Sequence, residues 1–389
     1  MTSRAILRSW AELVAHERAW WELLERSDQN HATMTPFWLG AWWRVFGNDG
    51  RHLRALLVFD QGRLIGLAPL LSRLHWYRSG VPFRRLELVG SGEPEADEIC
   101  SEYLGVLTER GRQAQVLSEL VNALTTAQLG RWDEVIFPAL CGEGAGADSL
   151  IEALQQSGLV TRTTVTAECP YIRLPASWDE YLGSLSSSAR HYVRRSLASF
   201  EQWADGDAEF RDVRSMADLE QGSAVLHALH EQRWSATGRD GVFASQRFRA
   251  FHDEVMRALL ARGALDLSWI LVRGEPIAAL YNFVWNGSVN MYQAGRKLDV
   301  PPSVRPGIIN HLHSIRRAIE AGHREYDFLG GASPYKLKLA TAKRPLLAVR
   351  AVQSRALERV RVAAERGIGQ VRATAERGID LVRLLARHA

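Results

Sequence analysis

Four stretches of this 389-residue chain bring together residue types that can do chemistry. From Gly295 to Ile309 a strand end leads through a loop with Lys297, Ser303 and Arg305 into Pro306-Gly307 at a helix start. Helix N-termini offer unpaired N–H groups and a partial positive charge, so this passage suits a pyrophosphate. Gly307 lets a ligand approach the backbone, and Pro306 fits the first helical turn; an ordinary capped helix would use the same residues. No Walker pattern and no dinucleotide fingerprint accompanies it. After Ser186-Ser187-Ser188, Arg190, Arg194 and Arg195 form a cationic strip on a helix, built either for a carboxylate or phosphate or as a solvated face. Further on, His230 and Arg233 share a helix face with Trp234 close by. A histidine beside an arginine and an aromatic suits a general base of lowered pKa, or a structurally bonded core histidine. The fourth stretch is Tyr326-Asp327-Phe328-Leu329-Gly330-Gly331 followed by Pro334-Tyr335-Lys336. A carboxylate at an apolar strand end can orient a nucleophile, while Tyr335 and Lys336 can meet an anion or a developing oxyanion. No stretch has the His, Cys or acidic spacing of a metal site, so no metal is expected.

The elements that hold these residues follow from pattern. Phe37–Phe46, with Trp38, Trp42 and Trp43 on one face, predicts a core-packing helix. Leu53–Phe59 and Leu64–Leu71 predict a hairpin; Leu86–Val89 and Glu134–Phe137 predict strands around a helix at about 112–128. Gly142–Gly146 is a break before a short helix at Asp148–Ser157, and the domain boundary is placed within 142–165. Beyond it come a strand at Tyr171–Leu174, one long helix from Ser177 to Trp203, and helices at Met216–Ser235 and Gln246–Ala261. Strands Leu265–Val272, Pro276–Trp285 and Ser288–Ala294 follow, the last two joined by Asn286-Gly287, a strong hairpin signal because both turn positions need positive φ. A helix from Pro306 to Ala321 and strands at Glu325–Leu329 and Leu346–Val352 complete the pattern. Each half is thus a β-meander flanked by helices: an α+β fold used twice, at 1–150 and 165–352, with a basic amphipathic helix at 353–389.

Charge sharpens this division. The net charge of +4 combines a +5 tail, residues 350–389, with a body of −1. A near-neutral body argues against a general DNA binder. Cys100, Cys141 and Cys169 form neither a disulfide framework nor a zinc pattern, which fits a reducing, cytoplasmic setting. The uncharged run Pro276–Gly295 is as long as a membrane span but carries Asn282, Asn286, Asn290 and Gln293, so a hairpin is expected.

Ser186-Ser187-Ser188 with Arg190 and Arg194-Arg195, His230, Arg233-Trp234, Ile277-Ala278-Ala279, Tyr292, Pro306-Gly307, Asp327, Gly330 and Tyr335-Lys336 together resemble one family. It is the cellulose-biosynthesis type of GNAT acyltransferases, related to the Fem peptidyltransferases and including bacterial ceramide synthases. The resemblance is strongest over 165–340; Trp38, Trp42-Trp43, Gly66 and Ala68-Pro69-Leu70 resemble the family's N-terminal portion more loosely. It implies tandem GNAT-like domains, the first degenerate, and acyl transfer from acyl-CoA to the amine of a lipid, such as a sphingoid base, or of an envelope or polysaccharide precursor. No cofactor is then held permanently. Tyr292, Ser303, Arg305 and Gly307 are the expected donor site; Arg190, Arg194, Arg233 and Lys336 are expected to hold anionic parts of donor or acceptor. His230, then Asp327, is the expected base, with Tyr335 protonating the thiolate. The pyrophosphate loop is shorter than the family's, which keeps two alternatives open: Fem-like transfer from aminoacyl-tRNA, and a catalytically silent, membrane-associated adaptor of an envelope-synthesis complex.

The tail repeats every eleven residues: Arg355, Arg366, Arg377; Arg361, Arg372, Arg383; Val360, Val371, Val382. Eleven residues approximate three helical turns, so each series stays on one face. The resulting apolar stripe bordered by arginines suits an anionic membrane surface at the inner face of the cytoplasmic membrane, a second chain, or the protein body.

Overall fold

The computed structural model describes residues 2–78, 80–236, 238, 240–353 and 356–366. Its first half runs β1 (Thr2–Leu7), α1 (Trp10–Val14), α2 (Glu17–Glu25), α3 (Pro36–Phe46), β2 (His52–Leu53), β3 (Ala55–Asp60), β4 (Arg63–Ala68), β5 (Leu70–Trp76), β6 (Pro82–Leu88), β7 (Leu107–Thr108), α4 (Gln113–Thr125), β8 (Glu134–Cys141), α5 (Ala145–Gln156) and β9 (Val160–Arg173). The second half runs α6 (Trp178–Ser184), α7 (Ser187–Ala204), β10 (Ala208–Asp212), α8 (Met216–Ser235), α9 (Gln246–Leu260), β11 (Leu265–Val272), β12 (Glu275–Trp285), β13 (Ser288–Arg296), α10 (Pro306–Glu320), β14 (Glu325–Asp327), α11 (Pro334–Leu339) and β15 (Ala342–Val352). The fold is α+β, with helices flanking mixed sheets.

Strands β1-β3-β4-β7 form a small sheet; the other eleven form one sheet in the order β10-β11-β12-β13-β14-β9-β15-β8-β6-β5-β2. Its middle reads the same from either side. Parallel pairs β13–β14 and β6–β8 flank the antiparallel core of β14, β9, β15 and β8. Each half therefore lends its last strand to the other: β9 pairs with β14, and β15 with β8. The interval 142–165 does not cut this sheet, because β9 spans 14 residues rather than the four expected at Tyr171–Leu174.

Local chemistry explains the remaining departures. The strand expected over Leu64–Leu71 divides at Pro69, which has no N–H for a ladder; β4 joins the small sheet and β5 the large one. The single helix expected over Ser177–Trp203 is two, because Leu185 is extended at ψ 151° and the Ser186 hydroxyl caps α7 by accepting from Ala189 N at 3.3 Å. Pro276–Gly295 is the expected hairpin: Trp285 pairs with Ser288 across Asn286 (φ 45°) and Gly287 (φ 75°). Among the described residues no helix is long and apolar enough to cross a membrane.

Trp38 and Trp42 of α3 are wholly buried, as expected, but their core is shared. Trp38 meets Phe251 of α9 edge-on at 5.2 Å, and one apolar cluster extends through both halves. At the C-terminus, residues 356–366 are helical, and Arg361 turns inward. Its guanidinium bonds Glu358 and Glu365 and lies 4.8 Å from the Tyr77 ring, not toward a surface as its place in the eleven-residue series suggests. The rest of that series, from residue 367, lies outside the described residues.

Candidate active site

One segment, 327–335 between β14 and α11, touches three cavities. The first, about 410 Å³, lies where β13 runs on past its pairing with β14. Its walls are Ala294, Gly295 and Arg296 of β13, the loop to Arg305, Gly307 and His311 of α10, and Tyr335. No side chain caps α10; Pro306 has no N–H and the Ile308 and Ile309 N–H groups bond Arg305 O at 3.0 and 3.1 Å, which leaves the Gly307 N–H of the first turn for a ligand. Arg233, Arg296 and Arg305 converge on this cavity, and none has an acidic partner among the described residues. Arg305 is steadied over the Tyr192 ring at 5.0 Å and Arg233 over Trp234 at 5.5 Å. A Cβ at Gly307 would meet only the Arg296 side chain, with Cδ at 3.5 Å in ordinary van der Waals contact, so the position is not crowded by backbone. The arrangement is built to hold an anion.

Of the expected donor and anion residues, Arg233, Arg305, Gly307 and Tyr335 are brought together here. Ser303 is exposed on the loop and does not line the cavity, although Pro302 and Val304 do. Arg190 is half-buried and Arg194 exposed on α7, and the helix contributes Tyr192 to the wall instead. Tyr292 points to the opposite side of the sheet. Its hydroxyl donates to Ile99 O and bonds His252 Nε2 at 3.0 Å, within an aromatic group that includes Trp38 and Tyr281.

His230 lies behind the strand. Its Nε2 accepts from Trp234 Nε1 at 3.0 Å, Nδ1 is buried without a hydrogen-bond partner among the described residues, and Phe243 stands edge-on at 4.9 Å. Burial and the nearby Arg233 pull its pKa down to about 4, so the ring is neutral at physiological pH. Gly295 allows this packing, because a Cβ there would stand 2.7 Å from His230 N.

The second cavity, about 220 Å³, lies between the halves and is lined by His31, Glu102, Tyr103, Tyr292, Asp327 and Arg344 among others. Asp327 is 1% exposed; Oδ2 accepts from Tyr103 OH at 2.7 Å and Oδ1 from Leu329 N at 2.7 Å. Burial raises its pKa, and the Arg344 charge works against that rise. Lys336 holds the turn below, donating to Phe328 O at 2.7 Å and Gly330 O at 2.9 Å, and burial lowers its pKa.

The third cavity, about 580 Å³, reaches from Gly90 and Glu98 to Gly330 and Gly331. Glu102 lines both it and the second cavity. Desolvation lifts the Glu102 carboxyl to about 7, which poises it to take a proton at physiological pH. Sequence reasoning missed this residue. The one available signal is the density of acids after Gly90-Ser91-Gly92: Glu93, Glu95, Asp97, Glu98 and Glu102 within thirteen positions of Gly90. Among the described residues no group of three or more His, Cys, Asp or Glu is placed to hold a metal ion.

Residues 187–337 match the acetyltransferase (GNAT) domain. That stretch holds α7, α8, α10, β13, β14 and the arginine-lined cavity. No curated protein sequence matches the chain. Among solved structures it resembles FemX at 10% identity and TM-score 0.58, over 88% of this chain and 98% of that one. A conserved protein of unknown function from Bacteroides thetaiotaomicron is similar at 11% identity and TM-score 0.53, over 90% and 100%. The C-terminal domain of a putative lysylphosphatidylglycerol synthetase from Agrobacterium fabrum is similar at 11% identity and TM-score 0.50, over 91% and 96%. At these identities the likeness speaks for the fold, and it extends over both halves.

Proposed function

We propose that the protein is an N-acyltransferase that takes its acyl group from acyl-CoA and delivers it to the amine of a lipid or of an envelope or polysaccharide precursor. The observation that carries this reading is the cavity at the α10 N-terminus, with three arginines that have no acidic partner among the described residues, inside the GNAT-matching stretch. The Gly307 N–H and Arg233, Arg296 and Arg305 hold the pyrophosphate, and the thioester extends along β13 toward 327–335. An alkylammonium must lose a proton before it can attack. Glu102 receives that proton, with Asp327 as the neighbouring carboxylate; His230, already neutral and enclosed, ranks behind them. The amine then forms the C–N bond, a strand N–H of β13 near Tyr292 meets the oxyanion, and the C–S bond breaks. Tyr335, kept protonated by burial, donates a hydrogen bond to the leaving thiolate.

Calorimetry with acetyl-CoA, palmitoyl-CoA and an aminoacyl-tRNA tests this. Saturable binding of an acyl-CoA, weakened about tenfold or more in Arg305→Ala, is expected, since a charge-assisted hydrogen bond contributes about 1.5–3 kcal/mol. Binding of charged tRNA alone would assign the Fem-like alternative, and binding of neither would assign the silent adaptor.

A further inference from the structure

The third cavity lies where β6 and β8 part, and donor binding leaves it unused. Its lining contains Glu93, Glu95, Glu98 and Glu102 and no basic residue. Glu93 is committed to the protein, accepting from Trp42 Nε1 at 3.0 Å and Ile99 N at 2.8 Å. Glu95 and Glu98 stand exposed at the rim, without an ion-pair partner among the described residues. Glu102 lies at the depth, only 9% exposed. Its carboxylate accepts from Gly330 N at 3.2 Å and from its own backbone N–H, and no side chain among the described residues donates a hydrogen bond to it. A carboxylate so deep in a cavity wall, bonded only by backbone N–H groups, gains from a cationic donor that arrives through the cavity. Between rim and depth the wall is aliphatic, formed by Leu104, Pro138, Ala139, Ala167 and Leu346.

We infer that this cavity receives the acceptor, and that the acceptor is an aliphatic diamine or polyamine unit, free or within a larger precursor. One nitrogen reaches Glu102, the stem lies along the aliphatic wall, and a second charged nitrogen sits between Glu95 and Glu98. The inference rests on the transferase reading above. In the reaction the ammonium at Glu102 gives one proton to the carboxylate. Its nitrogen then forms the C–N bond as the C–S bond breaks, and coenzyme A leaves as the thiol with the nitrogen's second proton.

The test is calorimetry on the full chain without thioester, using hexanediamine, hexylamine and hexanediol. Hexanediamine should bind about fivefold more tightly than hexylamine, the scale of an exposed ion pair, and hexanediol should give no heat. Glu95→Gln with Glu98→Gln should erase the diamine's advantage, and Glu102→Gln should weaken both amines. Equal affinity for the two amines, or affinities unmoved in all these variants, overturns the inference. Should Glu102→Gln fail to fold, the rim variant, which alters only exposed side chains, decides alone. Acetyl-CoA titrated against the same proteins separates the two readings. Amine selectivity without acetyl-CoA binding overturns only the donor assignment; acetyl-CoA binding without amine selectivity overturns only this one.

Discussion

The two halves place opposite charge at corresponding points of the same strand arrangement. In each, a parallel pair opens at one end, and the loop leaving the first strand of the pair lines a cavity there. In the C-terminal half that loop begins at Arg296, passes Arg305 and feeds α10, whose N-terminus faces the cavity. In the N-terminal half the loop after β6 carries four glutamates into the cavity and continues through a single 3-10 turn at Glu95–Asp97 to β7, so no α-helix follows it among the described residues. Duplication of a scaffold therefore does not duplicate a site. A helix start and arginines without an acidic partner among the described residues make one opening fit for an anion, and their replacement by glutamates makes its counterpart fit for a cation.

Reversing the charges is the strongest way to break this contrast. Arg233→Glu with Arg305→Glu should weaken acetyl-CoA binding by about a hundredfold, the product of two charge-assisted contacts, while leaving hexanediamine binding in place. Both affinities are read by calorimetry. Loss of amine binding in that variant would mean that the two openings are not independent.

Backbone approach differs between the halves as well. Gly295 brings β13 against α8, and a Cβ there would meet His230 N and Leu229 Cβ, each at 2.7 Å. Gly295→Ala should cost about 1–3 kcal/mol, seen as a lower melting temperature. Gly307→Ala, whose Cβ would make only ordinary contact with the Arg296 side chain, should leave the melting temperature unchanged. A matching loss at Gly307 would show that protein, not ligand space, lies in front of it.

Proton linkage gives a finer test. Burial lifts the Glu102 carboxyl from 4.5 to about 7. Between those values the folded chain holds a proton that the unfolded chain has released, so stability falls as pH rises through that window. Hexanediamine affinity should move the other way, strengthening as Glu102 ionises near neutrality, by a few-fold on the scale of one charge pair. Glu102→Gln should flatten both profiles. An unchanged pH profile of affinity in that variant would place the titrating group elsewhere.

Much of the C-terminal half was legible because its signals are local. Asn286-Gly287, Pro306-Gly307 and the periodicity of α8 and α9 each act within a few residues, and they led to Arg233, Arg305, Gly307 and Tyr335. The exchange of β9 and β15 was not legible. Nothing in Val160–Arg173 states that its partner is a strand about 180 residues onward. Glu102 was hidden for the same reason: its burial is completed by Gly330, 228 residues away. Tyr292 and Asp327 read correctly as strand residues, but the sheet face each one presents depends on register with strands of both halves.

The smallest expected effect concerns a feature with no counterpart in the C-terminal half. The helical segment 356–366 is held against the N-terminal half by Arg361, which bonds Glu358 and Glu365 and covers Tyr77. Glu358 in turn pairs with Arg350 at 2.8 Å, and Arg350 with the wholly buried Glu134 at 2.6 Å. Arg361 is 9% exposed, so its removal takes away more than a surface ion pair; yet Arg350 still satisfies Glu358 and Glu134, which limits the cost to about 1 kcal/mol. Arg361→Ala should therefore raise amide hydrogen exchange in 356–366 and around Tyr77 while leaving exchange in 187–337 unaltered. Equal acceleration in both regions would show that this segment braces the whole molecule rather than one half. No change anywhere would release Arg361 from the body and return it to the arginine series that its eleven-residue spacing defines.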